Sequence, residues 1–85
     1  MVKANDDLPA MPTPEEAKWM LPIIKDALAH EGVVPSILGE HPKGGIMAAA
    51  EMTEAQKHDI TAALFEKGIV LAEVRPGEFG FAIRR

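Results

Sequence analysis

Apolar side chains recur along this chain of 85 residues at two different spacings, and each spacing predicts one kind of element. In the N-terminal third they recur every three or four positions, which is typical of an amphipathic helix: Ala17, Met20, Leu21, Ile24 and Leu28. A second helical stripe follows later in the chain: Ile60, Ala63 and Leu64. The C-terminal residues are β-branched or aromatic at alternate positions, which is typical of strands. The pattern therefore predicts a mixed α and β fold.

The first helix has clear end signals. Thr13 and Glu16 have the spacing of a capping box, and Pro14 suits the first helical position. Pro22 lacks the N–H that the helical ladder needs at that point, so it predicts a bend or a restart of the helix. We expect a helix over about residues 14–31, bent near Pro22.

The second helix is bounded in the same way. Thr53 and Gln56 repeat the capping-box spacing at its start, and Gly68 is a suitable residue just beyond its end. These signals predict a helix over about residues 54–67.

The segment between the two helices, residues 33–52, leaves alternatives open. Pro35–His41 could form a short helix with its apolar residues turned inward. Gly44 and Gly45 then break the chain. Ile46–Met52 is rich in alanine and suits either a helix or a buried extended segment, and periodicity alone does not decide between them.

The last part of the chain predicts a β-hairpin. Ile69–Arg75 and Phe79–Arg84 are rich in strand-forming residues and flank the turn dipeptide Pro76-Gly77. A two-residue loop between them pairs apolar residues on one face, which we expect to cover the core: Val74 with Phe79, Ala72 with Phe81, and Val70 with Ile83. In this register Val70 and Phe81 point to the same side of the hairpin.

The segment Leu64-Phe65-Glu66-Lys67-Gly68-Ile69-Val70 closes a helix and opens a hairpin. This order resembles a winged helix-turn-helix domain, in which the helix before the wing commonly ends in a Leu, charged residues, Lys-Gly and a β-branched or Leu residue. The resemblance covers about residues 33–85. It implies an α+β fold, a small winged-helix-like domain with two or three helices followed by a C-terminal β-hairpin, whose helix before the wing reads the major groove of DNA.

Length and composition narrow the classes of protein. We expect a flexible N-terminal arm over residues 1–12 and a single domain over residues 13–85, because the chain is too short for two domains. Nine Lys and Arg against thirteen Asp and Glu give a net charge of −4, which disfavours a strongly basic nucleic-acid binder. No apolar run approaches the roughly 18 residues of a membrane span, so we expect a cytoplasmic protein without a membrane partner.

The sequence contains little that predicts catalysis or metal binding. It has no cysteine, and His30, His41 and His58 are too scattered to form a recognisable ligand pattern. Ser36 lacks the flanking glycines of a nucleophile elbow. We therefore expect a protein that is not an enzyme and that has no cofactor and no metal site.

These exclusions favour a non-catalytic protein-interaction module, a small acidic regulator or inhibitor that acts by occupying the surface of a partner protein. A homodimer is a second form of the same hypothesis, because a short chain without disulfides is stabilised by association. Trp19 suits either an interface or the core. The candidate contacts are apolar and acidic residues of the arm and first helix: Met11, Glu15, Glu16, Trp19, Ile23 and Asp26.

The alternative hypothesis is a winged-helix DNA-binding transcriptional regulator. Its candidate contacts lie on the second helix and the hairpin: Gln56, Lys57, His58, Thr61 and Arg75. Lys57 is the only one of the four helix residues with a full positive charge, and phosphate contacts supply most nonspecific affinity. DNA binding is therefore disfavoured, although the resemblance implies it.

Overall fold

Both helices begin at the capping residues that the sequence marks. The computed structural model describes residues 9–84, and in it helix α1 is Pro14–His30 and helix α2 is Glu54–Glu66. Thr13 Oγ1 accepts a hydrogen bond from the Glu16 N–H at 3.2 Å, and the Glu16 carboxylate accepts one from the Thr13 N–H at 2.8 Å. An equivalent box starts α2. Both predicted helices are confirmed, and the bend at Pro22 stays a prediction.

Five strands form one antiparallel sheet: β1 (Pro9–Ala10), β2 (Ile37–Glu40), β3 (Ile46–Ala49), β4 (Ile69–Arg75) and β5 (Glu78–Arg84). The central strand is β5. It pairs with β4 along one edge, and with β3 and the two-residue β1 along the other. Beyond β3 lies β2, so β4 and β2 are the outer strands. Residues 1–8, most of the predicted arm, lie outside the described residues.

The segment between the helices is a hairpin. The predicted short helix within Pro35–His41 was wrong, because β2 pairs there with β3 from Ile37 opposite Ala49 to Glu40 opposite Ile46. The extended alternative for the alanine-rich segment is the one observed. The α+β class is thus confirmed with two helices and more strands than a single terminal hairpin, while the winged-helix arrangement stays a prediction.

The C-terminal hairpin contains a β-bulge that the sequence analysis did not predict. Next to the turn, Arg75 pairs with Glu78, as a two-residue loop requires. Val74 is then an extra residue in β4, and the next pair is Glu73 with Phe79. One extra residue reverses which side chains of a strand face the core.

The prediction that Val70 and Phe81 share a face was therefore wrong. Beyond the bulge Leu71 pairs with Phe81, so the odd-numbered residues of β4 point inward. Ile69 is completely buried, at 0% exposure, whereas Val74 is 65% exposed. The bounds of β4 were predicted correctly, and β5 begins one residue earlier than predicted, at Glu78. The side of β4 that faces the core was predicted wrongly.

Glu73 explains in physical terms why the bulge is favourable. With the inward register, its Oε1 lies 2.7 Å from Lys57 Nζ on α2, and its Oε2 accepts a hydrogen bond from the Gly77 N–H of the turn at 3.4 Å. The hydrogen bond from Lys57, and then that from Gly77, lower the pKa of Glu73. One carboxylate thus connects the hairpin to the helix and to its own turn.

We expect Glu73→Gln to flatten the acid part of the stability profile. The pKa of Glu73 in the folded state lies below its ordinary value of 4.5. Its ionised form therefore stabilises the fold above that value, and this contribution disappears as pH falls through the lowered folded-state pKa. Urea unfolding midpoints measured at neutral pH and at several acidic pH values test this. Glu66→Gln, at an exposed position of α2, is the control. Parallel profiles for Glu73→Gln and the wild type would contradict the expectation.

The core lies between the two helices and one face of the sheet. Its buried side chains come from α1, α2, the inward positions of β3, β4 and β5, and the connecting residues Val33 and Ala50. The full set is Ala17, Met20, Ile24, Leu28, Val33, Ile46, Ala48, Ala50, Ile60, Leu64, Ile69, Phe79, Phe81 and Ile83. The helices cover this inner face alone. Neither helix within residues 9–84 has both the length and the apolar character that crossing a bilayer requires.

Candidate interaction surface

The side of the sheet that faces away from the helices is almost entirely apolar. The strand registers place nine uncharged residues on it, which together we call the outer face: Ile37, Gly39, Met47, Ala49, Val70, Ala72, Val74, Gly80 and Ala82. Val74 lies beside Gly80, since a Cβ built on Gly80 would be 4.0 Å from Val74 Cγ1. In residues 9–84 no helix packs on this side of the sheet.

A shallow groove of about 640 Å³ runs along the outer face. Its floor consists of small residues, Gly80 with Ala72 and Ala82, and larger side chains such as Met47 and Val74 line its sides. Small residues in adjacent strands leave the backbone open to close approach by another molecule. The groove is therefore an apolar surface that another molecule can approach closely.

Met11 extends this surface beyond the strands. Its side chain is 62% exposed and lies against the β2–β3 turn, so close that a Cβ on Gly44 would be 2.8 Å from Met11 Sδ. Met11 also lines the groove. Among the predicted protein-contact residues, Met11 is the one that the structure places at the outer face.

Few charged groups border the outer face. Glu78 pairs with Ala49 on this side, and Arg75 pairs with Glu78 at the end of the hairpin. At the other end of β5, the guanidinium carbon of Arg84 lies 4.4 Å from the centre of the Phe65 ring on α2. The centre of the outer face is thus free of charge within the described residues.

The other predicted protein-contact residues lie on α1. Trp19 is 41% exposed and so lies outside the buried core, which leaves its interface role a prediction. Glu15 is exposed, whereas the carboxylate of Glu16 closes the capping box. Ile23 and Asp26 line a groove of about 340 Å³ between α1 and α2. The six predicted residues are therefore distributed over separate parts of the molecule.

The groove between the helices differs from the outer face in its charge. Its floor is apolar, and its rim mixes carboxylates with bases: Asp26, Glu31, Asp59, His30 and Lys67. Gln56 Nε2 donates a hydrogen bond to the Glu31 carbonyl at 2.9 Å and so joins the two helices there. This groove therefore has a charged rim, which the centre of the outer face lacks.

Two of the predicted DNA-contact residues make structural hydrogen bonds. Gln56 Oε1 accepts from the Thr53 N–H at 2.8 Å, while its Nε2 bonds Glu31. The Thr61 hydroxyl donates to the carbonyl of Lys57 at 2.7 Å. Reading bases with these side chains would require breaking contacts that hold α2 in place.

Lys57, the cation of the predicted DNA surface, is paired with two carboxylates. Its Nζ lies 2.7 Å from Glu73 Oε1 and 3.1 Å from Glu54 Oε2, and hydrogen bonds to both raise its pKa. His58 and Arg75 are exposed. A phosphate would have to compete with the two carboxylates for Lys57, so DNA binding stays a prediction with weak electrostatic support.

The side chains with potential for chemistry are dispersed. No group of three or more acidic or histidine residues in the described part of the chain is arranged to hold a metal ion. The Ser36 hydroxyl donates to the Ala49 carbonyl at 3.2 Å, beside the β2–β3 pairing. The enzyme and cofactor predictions stay predictions.

The outer face was not predicted from the sequence, because the predicted register placed Val70, Ala72 and Val74 in the core. A signal was present, since Ile69 to Ala72 is an uninterrupted apolar run. Such a run is typical of a strand with apolar surface on both sides rather than on one.

Comparisons of the chain with protein-family models, curated proteins and solved structures found no match, so the function proposed below rests on the chain's own residues.

Proposed function

We propose that this protein is a non-catalytic protein-interaction module that binds another protein through the outer face of its sheet. The observation that carries the proposal is that face itself, an apolar sheet surface that the described residues leave uncovered. Contiguous apolar patches of this kind in small proteins usually mark interaction sites. The site thus differs from the α1 surface that the sequence favoured, while the class of function is the same.

The size of the outer face suits a protein surface. Two strands of four residues and two of seven, at about 4.8 Å spacing and about 3.3 Å per residue, give a footprint of roughly 350 Å². The largest apolar patch on a typical monomeric protein covers about 300–600 Å² and is often functional, and the outer face lies within this range. A shallow groove of this extent accommodates side chains or a helix of a partner better than it encloses a small ligand.

The charge distribution supports the role of a small acidic regulator or inhibitor. The helix layer, α1 and α2 with the residues that end them, has a net negative charge: Glu15, Glu16, Asp26, Glu31, Glu54, Asp59 and Glu66 against Lys18, Lys25, Lys57 and Lys67. With the outer face bound, this layer stays in solvent. A regulator docked in this way covers a partner's surface and adds negative charge beside it.

Site-specific photo-cross-linking tests the proposal. A benzophenone amino acid is placed at Val74 on the outer face or at Lys25, an exposed position of α1, in cells that make the protein naturally. We expect protein adducts several-fold more abundant from position 74 than from position 25. An added Ala72→Glu substitution should remove them, because it places a charge in the apolar groove. Mass spectrometry assigns each adduct to a second copy or to a different protein.

Ala62→Glu is the matched control, because it makes the same change at an exposed position of α2. It should leave the adducts from position 74 intact. Adducts that form mainly from position 25, or that persist at full yield with Ala72→Glu, would contradict the proposal.

A further inference from the structure

We propose that the outer face is occupied by a second copy of this chain, so that two sheets pack face to face in a symmetric dimer. This inference rests on the proposed function and names the partner. It follows from the charge, the shape and the area of the outer face.

Charge distinguishes the outer face from the helix layer as a surface for self-association. A symmetric dimer brings the same patch of both copies together. Two helix layers would bring together surfaces that are both net negative. The outer face has an uncharged centre, and its hairpin end carries one carboxylate, Glu78, and one guanidinium group, Arg75, at opposite positions of β5 and β4. Two outer faces therefore meet without opposing like charges over their central area.

The surface shape of the outer face suits packing against a second copy of itself. Packed sheets lie about 10 Å apart, with side chains of one sheet filling the spaces of the other. The floor around Gly80 and Ala72 is low, whereas Met47, Val74 and Met11 stand beside it. In a two-fold arrangement, the larger side chains of each copy can fill the low floor of the other.

The outer strands are less suitable for dimerisation through their edges. The bulge in β4 and the inward charge of Glu73 interrupt its free edge, and both features protect edge strands from pairing. The other outer strand, β2, has only four residues. Face-to-face packing is therefore favoured over extension of the sheet.

The area of the outer face sets the expected strength of the dimer. The footprint of roughly 350 Å² is somewhat less than half of the ~800 Å² that each partner buries in a standard interface. Val34 is exposed near the β2 side and extends the apolar area. We therefore expect a reversible, concentration-dependent dimer with a dissociation constant of about 10–100 µM.

Sedimentation velocity of the full chain at protein concentrations from about 5 to 500 µM tests the inference, because this range brackets the expected dissociation constant. The wild type should shift from monomer to dimer as its concentration rises. Ala72→Glu should weaken the dimer at least about tenfold. Ala62→Glu, with the same change in charge, should dimerise like the wild type. Circular dichroism establishes that each variant is folded.

Amide NMR shifts of the wild type on dilution provide a test that needs no substitution. The inference expects changes concentrated in β2 to β5, with α1 and α2 nearly unaffected. A wild type that stays monomeric at about 500 µM, a dimer that Ala72→Glu leaves intact, or shifts confined to the helices would each overturn it.

Failure of this inference is distinguishable from failure of the proposed function. If the chain is monomeric and position 74 still cross-links a different protein in an Ala72-dependent way, the function stands and the second copy is rejected as the partner. If position 74 forms no adduct of either kind, both are rejected.

Discussion

Replacing Ile69 with alanine is expected to lower the free energy of unfolding by about 2–5 kcal/mol, whereas alanine at the neighbouring Val70 should cost about 1 kcal/mol or less. Ile69 is fully buried in the core, and its truncation leaves a cavity beneath β4. Val70 lies on the outer face, where truncation removes partly solvated methyl groups. Urea denaturation at low protein concentration, where the chain should be monomeric, measures both values.

This pair of substitutions also tests the register of the hairpin. Without the bulge, Val70 would face the core and Ile69 would face away from it, so the order of the two costs would reverse. A larger loss from Val70→Ala than from Ile69→Ala would therefore contradict the bulge and with it the composition of the outer face.

Leu64→Ala in α2 is expected to lower the free energy of unfolding by about 2–5 kcal/mol, as Ile69→Ala does. Leu64 is 0% exposed and belongs to the core cluster between the helices and the sheet. A domain of this length has a total stability of roughly 4–13 kcal/mol, so the loss is a large part of it. Thermal unfolding should show a melting temperature lowered by more than about 10 °C.

Phe65→Ala is the control, because it removes a larger side chain from the next position. Phe65 is 47% exposed, and Arg84 lies over its ring. Its loss should cost about 1 kcal/mol, mostly from partial burial and the cation–π contact. A cost equal to that of Leu64→Ala would mean that α2 presents a different face to the sheet.

The helices were predictable because their determinants are local. Each capping box spans four consecutive residues, and the side chains that pack on the core recur within a few turns. Thr13 and Thr53 therefore indicate the helix starts without any knowledge of the rest of the chain. Pro22 did not prevent α1 from continuing, since tertiary packing of Met20 and Ile24 outweighs the loss of one hydrogen bond.

The strands between the helices depend on contacts distant in sequence. Ile37 pairs with Ala49, and Ile46 pairs with Phe81, which lies near the end of the chain. An alanine-rich segment has no strong preference that would announce such pairing. Its extended conformation follows from its position beside β5, and single-sequence patterns do not contain that information.

The side of β4 that faces the core was predicted wrongly for a similar reason. Its first four residues are all apolar, so either alternate set could have been buried. The choice depends on the bulge at Val74 and on the contact of Glu73 with Lys57, which joins β4 to α2. Met11 was predicted as a protein-contact residue, but its neighbours on the outer face could not be recognised until the register was known.

We propose that this protein meets its partner through the side of its sheet that faces away from both helices. Comparing the yield of protein adducts from a benzophenone at Val74 with that from Lys25 tests this claim most directly. The account predicts several-fold more adduct from position 74, abolished by Ala72→Glu and retained with Ala62→Glu. Equal yields from the two positions, or a yield from position 74 that Ala72→Glu leaves unchanged, would contradict it.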